Sequence, residues 1–558
     1  MESQQGVQSV ELTALKNPLI LTKILKQAEI PLKTCRLVSS FWNEMVLSLP
    51  NTRLALSLSH DDDQNEMSFS ELCSSVDARL ATRVSYFGWR KAESFVPNLT
   101  QICDQFGDTV QILELSIAVQ TNLPAVYQLL KNSCPNLQQL RISCLSTQNS
   151  ASSTDLIPGG EIVPVRRSLT SFMVTTVEVE VTAHLSSFID VVINASPNLK
   201  EVTLPWGVSQ DLSNSKCLNS LTIALDNADP REIVKAEDKL SDLSRMLCQV
   251  SDQLVTLNFD YVDINGEFDK TNNFKKNQYR LPTEKMSKLR TFQNRMTDVF
   301  RCDDLLPIIL PNLKTLMIGK AYEKSKCVDE ILQTICHSNN KIFPNMKNLT
   351  VMELHDPKLL NRLVTAFPNL DMLNLDMLKT TDFAGKKSRM KLGVVLKTCR
   401  GWKALKHLEL ALPKYPEDIE DVIQALLKAK ELFKQLKTFT LTTLDCDNEI
   451  YDLSEDEMNL FKKFLIAIRG MERVEISSLC FTKESAESIH AFMALKKMSV
   501  DKFSVVEEMS DDEDEAASDD GSGSDDFEDD DEELYMDDDS VDFDFEDDWR
   551  SDSDDDSD

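Results

Sequence analysis

The residue types that most often carry out chemistry are scattered along this chain rather than grouped. Its six histidines are far apart, and its thirteen cysteines include no C-x-x-C pair. The sequence also lacks the phosphate-loop, dinucleotide-binding, zinc-protease and nucleophile-elbow motifs. Local spacing therefore indicates no catalytic, metal or cofactor site. We expect a protein without catalytic residues or cofactors, which acts by binding other molecules.

The best candidates for binding are polar residues inside a recurring apolar phrase. The clearest copy, FPNLDMLNLD at residues 367–376, has leucines at the spacing L-x-x-L-x-L after a Pro-Asn pair. A short strand points its last two leucines to one side, and Asn374 and Asp376 to the other. Equivalent positions elsewhere are polar and of mixed charge, and together they would line an extended concave face. Such a face suits a folded protein or a peptide better than a small molecule. The residues expected to bind this partner are Gln139, Arg141, Glu201, Thr203, Asn258, Asp260, Asn374, Asp376, His407 and Glu409, with Thr438 and Thr440 beside them.

The phrase recurs along most of the chain and defines the elements that position these residues. Pro-Asn pairs introduce copies at positions 135, 197, 311 and 344, and versions without proline fill the intervals. Thirteen leading apolar residues, which we call anchors, are about 30 residues apart on average. They are Val110, Leu137, Leu169, Leu199, Leu218, Leu254, Leu289, Leu313, Met346, Leu370, Leu405, Leu436 and Met471. The period predicts a parallel sheet in which a helix follows each strand, because one short strand cannot bury its apolar face alone.

The net charge of −32 is concentrated at the C-terminal end. Residues 507–558 contain 30 acidic side chains and one arginine, whereas the rest of the chain is nearly neutral. Such a segment cannot build a core because its like charges repel, so we expect it to be disordered. Aromatic residues spaced through it suit either a basic partner, such as a histone, or a solubilising role. The sequence leaves both open.

The most specific functional pattern lies at residues 15–50. Pro18 and the aliphatic residues after it predict one helix, Pro31 interrupts it, and a second apolar helix reaches Trp42. Two or three short helices cannot bury this much apolar surface among themselves, so a partner surface is implied. The alternative interpretation is a helical cap that covers the first copy of the phrase.

This segment resembles an F-box, the helical module that docks the Skp1 adaptor of cullin-based ubiquitin ligases. The resemblance rests on the order of a proline, an aliphatic run, a break, a leucine–valine pair and a tryptophan; it departs from the family at Asn17, where a leucine is usual. The phrases resemble the repeats of the F-box/leucine-rich-repeat family, including the Cys-Pro-Asn-Leu variant at Cys134. The buried Asn or Cys usual after L-x-L is mostly missing. The Skp1 contacts that the resemblance implies are Pro18, Leu19, Leu21, Ile24, Leu25, Leu32, Leu37, Val38 and Trp42.

The expected fold is an α/β solenoid: a leucine-rich-repeat horseshoe of about 12 irregular repeats with an all-α F-box module and an acidic tail. The expected divisions are a disordered N-terminus (1–14), the F-box (15–50), a linker or N-terminal cap of the array (51–105), the repeats (106–505) and the disordered tail (506–558). An irregular loop is expected between Leu145 and Ser168. Ser454 and Glu457 have the spacing of a helix capping box.

Two functions fit these features. In the first, the protein is a substrate-recognition adaptor of an SCF-type ubiquitin ligase: the F-box holds Skp1 and the cullin complex, and the repeats present an unknown protein substrate. In the second, it is a non-enzymatic acidic leucine-rich chaperone that binds histones or other basic proteins. We expect neither membrane contact nor direct DNA binding. With no signal peptide and no apolar run long enough to cross a bilayer, the expected location is the cytoplasm or the nucleus.

Overall fold

The structure, a computed structural model, describes residues between 15 and 507 with gaps. The described residues are 15, 17–27, 32–35, 37–47, 56–59, 69–76, 78, 81–87, 92–117, 122–145, 163–177, 181–226, 237–262, 279–280, 285–295, 300–301, 309–319, 327–337, 343–354, 356–377, 380–381, 387–388, 391–412, 419–443, 450–498 and 503–507. The chain divides into two units, Met1–Glu508 and Met509–Asp558, and every described residue belongs to the first.

Helices and strands alternate along most of these ranges. The helices are α1 (Pro18–Gln27), α2 (Leu32–Cys35), α3 (Ser40–Leu47), α4 (Phe69–Ser75), α5 (Ala92–Phe106), α6 (Leu123–Asn132), α7 (Ala183–Ala195), α8 (Glu237–Val250), α9 (Cys327–His337), α10 (Pro357–Ala366), α11 (Leu392–Cys399), α12 (Ile419–Lys428), α13 (Lys430–Phe433), α14 (Glu455–Ile468) and α15 (Lys483–Leu495). The strands are β1 (Leu56–Ser59), β2 (Arg83–Phe87), β3 (Ile112–Ile117), β4 (Gln139–Leu145), β5 (Ser171–Val177), β6 (Glu201–Pro205), β7 (Ser220–Asp226), β8 (Thr256–Val262), β9 (Tyr279–Arg280), β10 (Thr291–Asn294), β11 (Phe300–Arg301), β12 (Thr315–Ile318), β13 (Asn348–Leu354), β14 (Met372–Met377), β15 (Thr380–Thr381), β16 (Lys387–Ser388), β17 (His407–Leu412), β18 (Thr438–Thr443), β19 (Ile450–Tyr451), β20 (Arg473–Phe481) and β21 (Phe503–Glu507).

Seventeen of the described strands form one parallel sheet. Strands β1 to β8 pair in chain order, and the sheet continues through β10, β12, β13, β14, β17, β18, β20 and β21. The short β19 pairs with the end of β20. Within the described residues the sheet is open, because β1 pairs only with β2 and β21 only with β20. A large parallel sheet with helices between its strands agrees with the predicted α/β solenoid class.

The anchors hold the core of this sheet. All thirteen are buried, with at most 5 % of any side chain exposed. They lie in one core cluster with the inward side chains of the strands and the buried faces of the helices, such as Phe188, Ile189 and Val192 of α7. In nine described phrases the anchor also closes a turn, since its N–H donates to the carbonyl three residues earlier. Leu313, for example, donates to Leu310 at 3.3 Å.

The residue just before the anchor joins each phrase to the preceding one. In eight described phrases this residue is Asn, Gln or Ser, and its side chain donates to a backbone carbonyl of the preceding phrase. Asn136, Asn198, Asn312, Asn345 and Asn369 make this bond at 2.8–3.1 Å. The other three donors are Ser168, Gln253 and Gln435. The Asn and Ser side chains donate to the carbonyl of the residue two positions before the anchor of the preceding phrase. The Gln side chains donate to the carbonyl of the residue three positions before that anchor. We call this series the amide ladder.

The N-terminal helices form a small core of their own. Asn17, at the position where the sequence departs from the F-box pattern, caps α1: its Oδ1 accepts the N–H groups of Leu19 (3.0 Å) and Ile20 (3.5 Å). The buried side chains of this module are Leu21, Leu25, Cys35 and Val46, and they belong to a cluster separate from the core of the sheet.

The sheet begins earlier than the predicted array. Strands β1 and β2 lie within residues 51–105, the expected linker or cap, and both pair in register with the strands that follow. At the other end, β21 extends past position 505 to Glu507. The sequence of β2, RVSYF, has no leucine phrase, and its burial does not alternate: Arg83 is half-buried, Val84, Ser85 and Tyr86 are buried, and Phe87 is exposed. Patterning alone therefore did not distinguish it from a cap.

The remaining local predictions have different outcomes. The capping box is confirmed: Ser454 Oγ accepts the N–H of Glu457 at 3.3 Å, and Ser454 N–H donates to Glu457 Oε2 at 2.8 Å. The expected loop begins where β4 ends at Leu145, and its residues 146–162 lie outside the described part of the chain. Residues 1–14 and 508–558, where disorder was predicted, also lie outside it.

The amide ladder can be tested by truncating one of its donors. We expect Asn345→Ala to lower the free energy of unfolding by about 1 kcal/mol, because the hydrogen bond to the carbonyl of Pro311 is lost. Asn132→Ala is the matched control: its amide contacts only Gln128 on the exposed side of α6, and its expected effect is within about 0.5 kcal/mol. Urea unfolding followed by circular dichroism gives both values. Equal losses in the two variants would contradict the structural role of the ladder.

Candidate functional site

The strand register arranges the predicted binding residues in three neighbouring rows. The first row contains Gln139, Glu201 and His407 with Thr438; the second contains Arg141, Thr203, Asn258, Asn374 and Glu409 with Thr440; the third contains Asp260 and Asp376. All of these side chains are half-buried or exposed, whereas the residues between them are buried. The rows therefore form one polar face of the sheet, opposite its core. Binding of a partner to this face stays a prediction.

Neighbouring side chains of the polar face are hydrogen-bonded to one another. The Asn374 amide donates to Glu409 Oε2 at 2.7 Å, and His407 Nδ1 lies 2.8 Å from Thr438 Oγ1. The amide of Asn258 contacts Thr222 at 3.2 Å. These bonds fix the orientation of polar groups before any partner arrives. A face ordered in this way loses little side-chain entropy on binding.

The strongest charged group on the face was not predicted from the sequence. Glu114 of β3 accepts hydrogen bonds from Arg83 (3.0 Å), Arg141 (2.8 Å) and Ser85 (2.5 Å). Burial alone would raise the pKa of this carboxyl. The hydrogen bonds from Ser85 and Arg83 and the charges of Arg83 and Arg141 outweigh burial and lower the pKa. Glu114 lies between the two leucines of ILELSI, so the outward-position rule could have identified it.

A second charged group lies in the third row. Arg295, which follows β10, donates to Asp260 at 3.1 Å. A Cβ on Gly319 would lie only 3.3 Å from Arg295 Cγ and 2.9 Å from Met352 Sδ, so this glycine leaves room for both side chains. Burial raises the pKa of Asp376 to about 6, while the charge of Arg295 acts in the opposite direction. This part of the face is therefore less negative near pH 6 than its sequence indicates.

The N-terminal module presents a second, apolar surface. Pro18 is exposed, and the exposed fractions of Leu19, Leu37 and Val38 are 82 %, 83 % and 60 %. Ile24 and Trp42 are half-buried. Clusters of exposed apolar side chains often mark protein-binding surfaces.

Two of the predicted Skp1 contacts are placed differently. Leu21 and Leu25 are 0 % and 5 % exposed and form the core of the module. A partner on the surface cannot reach them, so their part is to hold the exposed residues in position. The side chain of Leu32 lies outside the described residues.

Searches for other kinds of site in the described residues find little. No group of three or more His, Cys, Asp or Glu side chains there is arranged to hold a metal ion. No helix in this part of the chain combines the length and apolar character needed to cross a bilayer. The acidic segment, on which the chaperone hypothesis depends, lies outside the described part apart from its first residue.

Comparisons with known proteins add no family. The chain matches no protein-family model, and no curated protein is significantly similar to it.

The charge cluster on β3 gives a stability prediction. We expect Glu114→Ala to cost about 2 kcal/mol of unfolding free energy, because Ser85 loses its acceptor and Arg83 and Arg141 lose their counter-charge. Since the pKa of Glu114 is lowered on folding, its contribution is present above the ordinary carboxyl pKa and disappears as pH falls through the folded value. Urea unfolding at neutral and acidic pH measures both effects. The control is Glu472→Ala, an exposed partner of Lys437, with an expected cost below about 0.5 kcal/mol.

Asp376 gives a prediction of opposite sign. A carboxyl whose pKa is raised on folding destabilises the protein as pH rises from its ordinary value to the folded one, here from 3.8 to about 6. Above that window Asp376→Asn is expected to be more stable than the wild type, by up to about 3 kcal/mol. The difference between the two proteins should grow between pH 4 and 6 and then level off, as followed by urea midpoints. A difference independent of pH would show that Asp376 titrates normally.

Proposed function

We propose that this protein is a non-catalytic substrate-recognition adaptor of an SCF-type ubiquitin ligase. The supporting observation is the N-terminal module, whose three helices enclose a core of their own yet expose Leu19, Leu37 and Val38. In this interpretation the module is an F-box that binds a Skp1-like adaptor, and through it the cullin complex.

The physical argument rests on the apolar surface of the module. Covering a fully exposed leucine or valine with a partner yields about 1.5–3 kcal/mol per side chain. Three such residues account for several kcal/mol of binding free energy. A helical cap of the sheet would instead be expected to place its apolar residues in the core of the sheet, and the buried residues of this module form a separate cluster.

The polar face supplies the second part of the proposal. We interpret the strand phrases as about 12 irregular leucine-rich repeats, whose outward residues bind a folded protein or an extended peptide. No catalytic group is required of such an adaptor, because it acts by holding the substrate near the ligase. The location of this activity is proposed to be the cytoplasm or the nucleus.

Binding to purified Skp1 tests the proposal. The wild-type chain is expected to bind, and the triple variant Leu19→Ala/Leu37→Ala/Val38→Ala to bind at least about 100-fold more weakly, since three apolar contacts are truncated. Calorimetry or surface plasmon resonance measures both affinities. These positions are preferable to Trp42, which is packed against the core of the module, so that its loss would also affect folding.

The control is Leu495→Ala at the end of α15, a leucine that is 76 % exposed and therefore comparable to Leu37. It is expected to bind Skp1 with wild-type affinity. Failure of the wild-type chain to bind, or equal binding by the folded triple variant, would exclude the adaptor function.

A further inference from the structure

The residues three positions before the anchors lie in the turns that lead into the strands. We call this series of residues the turn column. In its C-terminal half the column is apolar, with Leu310, Phe343, Phe367 and Trp402. Its N-terminal half contains Gly107, Cys134, Arg166 and Ser196, all equally inaccessible. Burying a polar side chain costs free energy unless it is hydrogen-bonded, so the polar residues at these buried positions need an explanation.

Cys134 has an unusual backbone conformation in this column. Its φ is +52°, in the left-handed region that favours glycine, and it directly follows the C-cap residue of α6. The equivalent residues Ser196 and Phe367 have φ values of −121° and −125°. A left-handed residue at this position is a common way to end a helix, but it is usually a glycine. A cysteine there is strained, and strained residues cluster at functional sites.

A second thiol faces Cys134. Cys103 lies in the last turn of α5, close enough to Cys134 that the two thiols shift each other's pKa in opposite directions: the pKa of Cys103 is raised and that of Cys134 is lowered. Gly107, the preceding member of the turn column, lies between the backbones of the two cysteines. A Cβ there would collide with the carbonyl oxygen of Cys103 and lie 3.5 Å from the backbone nitrogen of Cys134. The two cysteine backbones therefore converge on one glycine.

Arg166, the next member of the column, places a positive charge beside the thiols. Its guanidinium donates to the carbonyls of Cys134 (3.2 Å) and Ser133 (3.0 Å), which explains part of its burial as a cap of α6. Its Nε is buried without a hydrogen-bond partner in the described structure, and the residue is only 9 % exposed. The hydrogen bond from Cys103 and the charge of Arg166 lower the pKa of the Cys134 thiol, against the effects of burial and Asp108.

A cavity of about 780 Å³ opens onto this group. Its lining includes both thiols and Arg166, with Lys131 and Arg167 as further cationic groups and Asp104 and Asp108 as acidic ones. Other buried cysteines lack this setting. Cys399 is fully enclosed, and burial raises its pKa to about 12, as expected of an inert core thiol.

We infer that Cys103 and Cys134 are a reactive thiol pair, which a peroxide entering this cavity converts into a disulfide. Cys134 is the attacking sulfur, because the charge of Arg166 stabilises its thiolate, and Cys103 resolves the intermediate. The pair is a site of modification independent of both proposed binding surfaces.

The reaction balances with hydrogen peroxide as the only oxidant. The Cys134 thiolate attacks one peroxide oxygen, the O–O bond breaks, and the leaving hydroxide takes a proton to become water. This yields a sulfenic acid on Cys134. The sulfur of Cys103 then attacks the Cys134 sulfur, the S–S bond forms, and the second oxygen leaves as water with the Cys103 proton. The two sulfurs together lose two electrons, which the peroxide gains.

The test treats the native, reduced full-length protein with hydrogen peroxide, alkylates the remaining thiols after denaturation, and maps the peptides by mass spectrometry without reduction. We expect a linked Cys103–Cys134 peptide that dithiothreitol separates, while Cys399 is recovered as an alkylated thiol. In Cys103→Ser, which has no resolving thiol, we expect dimedone to trap a sulfenic acid on Cys134. Recovery of both thiols unchanged at a peroxide dose that oxidises the exposed Cys217 would overturn the inference.

A matched pair of arginine variants tests the charge. Arg166→Gln is expected to slow formation of the linked peptide severalfold, and Arg166→Lys to restore much of the rate, since lysine retains the positive charge. Arg167→Gln removes a charge from the same cavity but from an exposed side chain, and we expect the wild-type rate. If Arg166→Gln and Arg167→Gln slow disulfide formation equally, the buried charge of Arg166 does not activate Cys134, and this part of the inference is wrong.

Discussion

Every strand phrase of this protein depends on the phrase before it for the hydrogen bonds of its own turn. The amide ladder is one part of that dependence. The other is a shared backbone acceptor: Lys347 and Asn348 both donate to the carbonyl of Lys314, and Asp371 and Met372 both donate to that of Lys347. A phrase without its predecessor would therefore lose these backbone partners and, in the eight described phrases of the amide ladder, a side-chain partner as well. Stability in such an array is a property of neighbouring pairs, and order spreads along the sheet from any pair already formed.

The same constraint explains how one scaffold supports different surfaces. The anchors and the inward leucines are all apolar and face the core, whereas the outward positions and the turn column carry side chains of different kinds from phrase to phrase. Variation of the outward positions produces the polar face with its ion pairs around Glu114 and Arg295. Variation of the turn column produces an aromatic stretch, in which Phe343 and Phe367 pack at 5.4 Å and Trp402 donates to the carbonyl of Phe367, and a polar stretch around Cys134. The polar face and the thiol pair, the sites of our proposals on the sheet, thus lie at positions whose residue type differs from phrase to phrase.

The sequence predicted the sheet well because the core follows a simple period. All thirteen anchors and the outward orientation of the ten polar residues could be read from L-x-x-L-x-L. The Pro-Asn-Leu start of the phrase does not by itself predict a strand. Pro97, Asn98 and Leu99 lie inside helix α5, and no L-x-L pair follows them. The amide ladder is not apparent in the sequence, where a Pro-Asn pair marks only the start of a phrase. The cluster of thiols is not apparent because its members are neighbours in space but about 30 residues apart in sequence. For the module, the sequence predicted one helix from the break at Pro31 to Trp42, whereas α2 ends at Cys35 and α3 begins at Ser40. Leu37 and Val38 lie between these two helices, and the sequence did not indicate that they are exposed.

The open end of the sheet has a consequence for how the protein behaves in concentrated solution. Among the described residues β21 pairs on one side only, and the chain continues from it directly into the acidic segment that begins at Glu507. Free strand edges are the places where proteins most readily polymerise edge to edge. A second copy adding to β21 would bring together two segments that each carry a net charge of −29. Their repulsion acts over a screening length of about 8 Å at physiological ionic strength. We expect this repulsion to oppose addition of a second copy to β21, and high salt to weaken the effect.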